Sequence, residues 1–371
     1  MHKLHYVIYN EPDKYGTGVE KKIINQINEF IDLGYEVEVS VLEYKNKVKK
    51  MLSIIMGNDG CNYNSIRTDG EIYYFRYPLA NRAMINFMKK VNKLGGKILV
   101  EIPTYPYEDE SHSNKGLRKL RTFINMFKDQ HYRVNLKRYV DRIITYSRDE
   151  KIFDIKTIKI SNASDLYNIS ARKNVNHTEI NLVAVANMNY WHGYDRLIEG
   201  LYIYYKKNVR KEIVQLYLIG GGRSIEFYKK LVDKYNLNKY VFFTGILTGK
   251  ELDGIYNVSD IGIDALARHR SKVYYNSSLK GKEYMAKGLP IISGVETELD
   301  YDDNFNYYMK VPADETPINV NDVIDFYYKI YNCGIDHAIA QIRNYAEKNF
   351  DFKICFNPVI QYLKTEMNKC T

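Results

Sequence analysis

Lys280 and Glu283 stand three residues apart in the stretch 277–290, which reads SSLKGKEYMAKGLP. On a helix that spacing puts an ammonium and a carboxylate on one face. The stretch carries its own helix signals. Ser277 or Ser278 can accept from the first free backbone N–H groups, Gly288 can take the left-handed position past the last turn, and Pro290 prevents a restart. A helix N-terminus with a lysine beside it suits a phosphate, and a carboxylate one turn on can accept two hydrogen bonds from a ribose diol. Ser278, Leu279, Lys280 and Glu283 therefore describe a pocket for a nucleoside diphosphate. The plainer alternative is an ordinary capped helix ahead of the strand that begins at Ile291.

Other chemistry-bearing residues fall at predicted strand ends, where open α/β sheets bind ligands. Glu101 at the end of the strand 97–102, and Tyr105 and Glu108 on the two-proline loop that follows, are candidates for contact with a sugar or an acceptor. His192-Gly193 sits between the strand 180–186 and a helix. Gly221 is the middle of a three-glycine turn after the strand 214–219, Gly245 closes the strand 240–245, and Gly16 and Gly18 precede the first helix. Such turns let backbone amides approach an anion. A cationic run of Arg268, His269, Arg270 and Lys272 follows the strand 259–264, aimed at the same strand ends as Lys280. Asp300-Tyr301-Asp302 has the form of an Asp-x-Asp metal site but reads better as a solvated acidic loop.

The elements that must hold these residues follow from periodicity. A strand at 4–9, a loop, a helix with Val19, Ile23, Ile24, Ile27 and Phe30 at helical spacing, and a strand at 35–42 make a β-loop-α-β opening. Such an opening marks a parallel sheet with crossover helices. Further strands are expected at 72–77, 97–102 and 142–147, with a helix near 83–94. The polar stretch 164–178 has no pattern and reads as a linker, after which the alternation restarts. The expectation is an α/β chain of two Rossmann-like doubly wound domains, at 1–165 and 175–350. A last helix within 355–371 is expected to pack back on the first domain.

Composition bounds the rest. A chain of 371 residues, 45% hydrophobic and 27% charged, suits two globular domains. Four cysteines without metal-ligand spacing fit a reducing compartment. Neither a signal peptide nor a membrane span is expected. The net charge of +9 is concentrated in residues 1–170, with 28 Lys+Arg against 21 Asp+Glu. Residues 115–142 alone hold nine Lys/Arg against Asp129 and Asp141. Leu117, Leu120, Ile124 and Phe127 share one helical face there; Tyr132, Leu136, Tyr139 and Val140 share another. Both stripes are expected to pack on the domain's own sheet while the basic side faces anionic lipid.

Glu283-x-Met-Ala-x-Gly-x-Pro290 resembles the donor-site motif of the group 1 (family 4-like) glycosyltransferases of the GT-B fold. With Ser278-Leu279-Lys280 ahead of it, and Glu101-Ile-Pro-Thr-Tyr-Pro-Tyr107 in the first half, the chain resembles a branch found in bacterial capsule and exopolysaccharide clusters. It departs from the family in three places. The first of the family's two glutamates falls on Tyr275, the strand-end histidine of the first domain is missing, and the arginine and lysine after the strand 180–186 are replaced by Asn187 and His192. Arg270 with Lys280 is read as the replacement for that pair.

The resemblance implies a GT-B enzyme moving a hexosyl group from a nucleotide sugar, a UDP-sugar, with retention and without metal or other cofactor. The acceptor would be an oligosaccharide or a polyprenyl-diphosphate-linked saccharide in surface polysaccharide synthesis, met from the cytoplasm by a peripheral protein at the inner face of the membrane. Glu101, Tyr105, Arg270 and Lys280 are the candidate catalytic residues. Ser278, Leu279, Glu283, His192, Gly193, Gly221, Gly245, Gly16 and Gly18 are the candidate donor-binding residues. Two alternatives are a nucleotide-sugar epimerase on the same fold and a non-catalytic basic binder. The first gives a basic, aromatic segment no purpose; the second leaves the Glu283 motif unexplained, and no nucleic acid partner is expected.

Overall fold

The computed structural model describes residues 2–9, 17–42, 62–108, 117–163, 166, 168–207 and 210–370. The chain divides into two units, residues 1–161 with 355–371, and residues 162–354. Gly16 lies outside the described residues.

Unit 1 is built on β1 (His2–Ile8), β2 (Tyr35–Val41), β3 (Ile72–Arg76), β4 (Lys97–Ile102), β5 (Arg142–Thr145), β6 (Lys151–Ile152) and β7 (Ile155–Lys159). They form one sheet in the order β2-β1-β3-β4-β5-β7-β6, parallel apart from the β6–β7 hairpin. Every residue of β3 is buried, which is why IYYF reads as a continuous apolar-aromatic run rather than an alternation, and the buried Arg76 that ends it pairs with Glu101. The crossovers carry α1 (Thr17–Asp32), α2 (Arg82–Lys93) and α3 (Leu117–Arg133). The α2 start is set by Asn81, whose side chain accepts from the Met84 amide. The C-terminal helix, Phe352–Cys370, belongs to this unit from Cys355 on. Phe356 meets Phe30 of α1 with ring centroids 5.5 Å apart, and Glu366 pairs with Lys97 at 3.3 Å.

Unit 2 holds β8 (Ile180–Val185), β9 (Val214–Ile219), β10 (Val241–Gly245), β11 (Ile261–Ile263), β12 (Ile291–Ser293) and β13 (Tyr308–Lys310). Its sheet runs β10-β9-β8-β11-β12-β13, all parallel. Its helices are α4 (Tyr194–Lys207), α5 (Ile225–Lys234), α6 (Gly249–Asn257), α7 (Leu279–Lys287), α8 (Val320–Tyr331) and α9 (Ile335–Asn349). The strand order reverses between β8 and β11, so the crevice beyond their carboxyl ends is where a doubly wound sheet takes a ligand.

Two regions differ from their sequence reading. The polar stretch read as a linker runs along unit 2 where it is described: the Arg172 amide donates to the Lys287 carbonyl at 2.9 Å, and the His177 ring meets Asp260 at 2.9 Å. Bonds to backbone and to a single acid leave no periodic trace. In the basic segment, Leu136 and Val140 enter the core, but Leu120, Phe123 and Phe127 of α3 are 56%, 69% and 66% exposed. Only one of the two apolar stripes packs on the unit's own sheet.

Candidate active site

In unit 2 the loops after β8, β9, β10 and β11 and the start of α7 converge on one edge of the sheet. The α7 helix starts where its residues dictate. Ser278 is the N-cap, with its Oγ accepting from the Gly281 amide at 3.3 Å, and Gly288 closes the helix at φ +77°. The Lys282 amide turns back to the Ser278 carbonyl at 3.3 Å. The amides of Leu279 and Lys280 thus belong to the open helix end, which favours an anion. Ser278 has a second duty that the sequence did not suggest. Its hydroxyl donates to Asp264 at 2.9 Å, and Lys280 reaches the same carboxylate oxygen at 3.4 Å. Ser278 is buried and so serves as cap and brace.

Asp264 is buried at the end of β11. Burial pulls the Lys280 ammonium below its ordinary value; Asp264 opposes this and Arg268 adds to it. Burial, then Lys280 and Arg268, hold the His192 imidazole well below its ordinary value. His192 is therefore neutral, and its Nδ1 accepts from the Asn189 amide at 2.9 Å. The proton sits on Nε2, which makes that atom the donor. The His192 carbonyl in turn accepts from the Leu266 amide at 2.8 Å. Gly193 follows with φ +66°, and a Cβ there would stand 2.5 Å from that of Ala267. Its absence of a side chain is what lets the loop carrying Arg268 lie against the loop carrying His192.

The cation expected to pair with Lys280 changes identity. Arg270 is consumed inside the protein: it grips both oxygens of Asp195 at 3.0 and 2.7 Å, binds Glu315, and donates to the Tyr190 carbonyl at 2.8 Å. Arg268, two residues earlier, is the one whose charge is felt by both His192 and Lys280, and its guanidinium lies 5.6 Å from the Trp191 ring centroid. The run of four basic residues could not be resolved from sequence because the short helical turn 268–271 decides which side chain faces which way. Arg196, also unremarked in the sequence, is 1% exposed and donates to the carbonyls of Leu266, Thr316 and Pro312 and to Asp314. It pins the Arg268 loop to the loop after β13.

Glu283 faces the same helix side as Lys280 and is half-buried, with Oε1 accepting from Tyr256 of α6 at 3.0 Å. Of the three glycines after β9, Gly220 and Gly222 press against the loop 186–188. A Cβ on Gly222, at φ +128°, would fall 2.3 Å from the Met188 backbone. Gly221 has nothing nearer than the Ile246 side chain at 3.9 Å. The Gly245 carbonyl accepts from the Gly220 amide at 2.7 Å, which ties the β9 and β10 loops together. Asn162 holds the other side: its amide donates to Ser277 Oγ at 2.8 Å.

Unit 1 arranges its candidates differently. Glu101 is fully buried. It accepts from Lys22 at 2.9 Å, Arg76 at 3.0 Å, Gln26 at 2.8 Å, Tyr74 at 2.6 Å and Tyr146 at 3.2 Å. Burial would raise its carboxyl, but Lys22, Arg76 and Tyr74 outweigh that and hold it at about 2. A carboxylate so saturated has no lone pair left for a sugar, so Glu101 moves from the candidate catalytic set to the interior of the sheet. Tyr105 is half-buried against Tyr107 and Phe153, with its hydroxyl kept protonated by burial and by Glu108 and Asp149. Glu108 pairs with Arg133 at 2.7 Å. Gly18 lies at the exposed start of α1 with open space around it.

Among the described residues no group of three His, Cys, Asp or Glu could hold a metal ion. Asp300 caps its own turn by accepting from the Thr297 amide at 2.7 Å and binds Lys310 at 2.9 Å, while Asp302 accepts from the Asn304 amide and from Tyr345. Each acid is thus engaged by donors of the protein itself, Asp300 in an ion pair with Lys310.

No family model matches the chain, and no curated protein matches it in sequence. Solved structures do. A glycosyltransferase from Rickettsia africae aligns with a TM-score of 0.64 at 15% identity, over 98% of each chain. The sucrose-phosphate synthase of Thermosynechococcus elongatus gives 0.67 at 13% identity over the whole of both chains. Anabaena Alr3699/HepE, solved in complex with UDP, gives 0.63 at 11% identity over 98% of this chain and 100% of that one. The fold is GT-B.

Proposed function

We propose that the protein is a glycosyltransferase that moves a hexosyl group from a UDP-sugar to a lipid-linked or oligosaccharide acceptor in surface polysaccharide synthesis. The carrying observation is the conjunction of Lys280, Arg268, neutral His192 and the open start of α7 at the switch point of unit 2, with Glu283 one turn on. Solved HepE complexes with UDP and with UDP-glucose on the same fold support a nucleotide-sugar donor.

The chemistry follows from where charge develops. Breaking the bond between the anomeric carbon and the β-phosphate oxygen leaves negative charge on the diphosphate. Lys280, Arg268, the Nε2–H of His192 and the helix-end amides are donors suited to that charge. Glu283 holds the ribose diol. The departing phosphate oxygen takes the proton of the acceptor hydroxyl as the new glycosidic bond forms on the same face, which retains configuration and needs neither a protein nucleophile nor a metal. Tyr105 is the unit 1 group offered to the acceptor. The acceptor is a polyprenyl-diphosphate-linked saccharide met at the cytoplasmic face of an anionic membrane.

The test is a thermal-shift panel of UDP-, GDP- and ADP-sugars, followed by release of free nucleotide. UDP-sugars should raise the melting temperature of the wild type, and Glu283→Ala should remove that rise, measured against the variant's own nucleotide-free melting temperature. A panel in which no nucleotide shifts the melting point sinks the reading. Inversion at a sugar carbon without acceptor would establish the epimerase alternative instead.

A further inference from the structure

The α7 helix has nine residues. That length is too short for a helix to hold itself in water, so what fastens its two ends decides where its open start points. A helix leaves its last four carbonyls without partners of its own. In α7 these belong to Tyr284, Met285, Ala286 and Lys287. The amides of Leu289 and Gly288 take the first two at 2.8 and 2.9 Å, the local closure that a left-handed Gly288 permits. The other two are taken from elsewhere in unit 2. The Arg172 amide donates to the Lys287 carbonyl at 2.9 Å, and the Arg343 guanidinium of α9 donates to the Ala286 carbonyl at 2.7 Å.

The same guanidinium donates to the Leu166 carbonyl at 2.5 Å and to the Ile169 carbonyl, while its Nε is held by Glu347 at 2.6 Å. Three carbonyls from two segments thus converge on one planar fork, a task that suits arginine alone among the side chains. Ile339, one turn earlier on α9, packs on the same end of α7: a Cβ on Gly288 would fall 2.7 Å from its side chain. At the start of α7, Asn162 donates to Ser277 twice, from its backbone amide at 2.8 Å and from its side chain at 2.5 Å. Ser277 precedes the Ser278 cap, whose hydroxyl braces Asp264. Residues 162, 166, 169 and 172 therefore fasten one stretch of chain to both ends of α7, and Arg343 stands at the end opposite Lys280.

We infer that Arg343 is a positioning residue for the anion end of α7: it locks the stretch 166–172 to the last turn of the helix, so that order in the stretch and order at the helix start rise and fall together. The inference rests on the donor-site reading for the identity of the anion, whereas the lock is in the bonds around Arg343. A phosphate held on the amides of Leu279 and Lys280 damps the motion of so short a helix. Through the carbonyls of Ala286 and Lys287 it damps the motion of the stretch as well. Linkage makes the effect reciprocal, so loosening the stretch weakens the hold on the phosphate.

The experiment is amide hydrogen exchange on the full chain, with and without UDP, read on peptides covering 168–175, 279–287 and, as control, the strand 214–219. In wild type, saturating UDP should slow exchange in 168–175 by about 5-fold or more, although that stretch is fastened to the far end of α7. Arg343→Met should speed exchange in 168–175 and 279–287 without nucleotide, leave 214–219 unchanged, abolish the slowing by UDP in 168–175, and weaken UDP by about tenfold in calorimetric titration. Arg343→Lys keeps the charge but cannot span three carbonyls, so it should fall between the two; it carries the test if the methionine variant does not fold. Wild type that binds UDP with no change in 168–175 overturns the inference. So does a variant that loosens 214–219 as much as α7, because Arg343 then only supports the fold, and so does one that leaves α7 exchange unchanged. If the two peptides loosen together in the variant while no nucleotide binds to wild type, the lock stands and the donor-site reading fails.

Discussion

Each unit buries one carboxylate at the carboxyl edge of its sheet and sets cations against it. Glu101 of unit 1 sits between Lys22 and Arg76; Asp264 of unit 2 sits beside Lys280, which in turn feels the charge of Arg268. The difference lies in closure. In unit 1 the three side chains are 0%, 9% and 10% exposed, and the Lys22 ammonium rests 3.7 Å above the Tyr146 ring centre. In unit 2 the contact to Asp264 is longer, the Lys280 side chain is 25% exposed, and the start of α7 adds amides. Similar charges make a wall in one unit and stay open in the other, where the proposed donor's diphosphate would bind. Residue type alone does not separate the two; enclosure does.

The comparison breaks most directly at Glu101. Glu101→Gln leaves two buried cations without their carboxylate, and removing one partner of a buried pair costs about 3–5 kcal/mol. Chemical denaturation should show that loss. The acid limb gives the same answer from another side. Glu101 is held at about 2, below its ordinary 4.5, so its stabilisation is present above pH 4.5 and is lost as pH falls toward 2. Wild type should lose stability through that window more steeply than Glu101→Gln. Unchanged stability in the variant, with transfer abolished, would return Glu101 to the chemistry.

At Lys280 the expectation reverses. Lys280→Met should cost less stability than Glu101→Gln, because Asp264 keeps the Ser278 hydroxyl, but should weaken UDP binding by about 10- to 100-fold, the worth of one charge-assisted hydrogen bond to a phosphate. Arg270→Gln sharpens the contrast within one loop. It should lower the melting temperature by loosening Asp195 and Glu315 from each other, with a smaller effect on UDP. Calorimetric titration of both variants checks this, and a larger affinity loss at Arg270 than at Lys280 would restore the sequence-based assignment.

What could be read from sequence and what could not divides along the same line. The β-α alternation, the α7 cap at Ser278 and its stop at Gly288 were legible because they depend on local pattern. So was the Lys280–Glu283 face. Asp264 was not, because an aspartate ending a strand looks the same whether it is braced by Ser278 or bathed in water. Arg268 and Arg270 could not be ranked, because Asp195 and Glu315, which capture Arg270, lie far along the chain. Leu120 and Phe127 were read as packing and are exposed, since an apolar stripe on a helix does not say which side the protein is on.

The smallest expected effect concerns Tyr256. Burial and then Glu283 raise its hydroxyl well above the ordinary tyrosine value, so it is protonated and donates to Glu283 Oε1 at 3.0 Å. That bond orients the carboxylate and leaves Oε2 for the ribose of the proposed donor. Tyr256→Phe keeps the buried ring and removes only the donor, worth about 0.5–1.5 kcal/mol, or roughly 2- to 10-fold in UDP affinity. The informative control is 2′,3′-dideoxyuridine diphosphate. If Glu283 reads the diol, wild type should bind this analogue weakly, and Tyr256→Phe should make no further difference to it. If the variant weakens UDP and the dideoxy analogue by the same factor, Tyr256 and Glu283 support the fold of α6 against α7, and the ribose contact must be sought elsewhere on the strand edge.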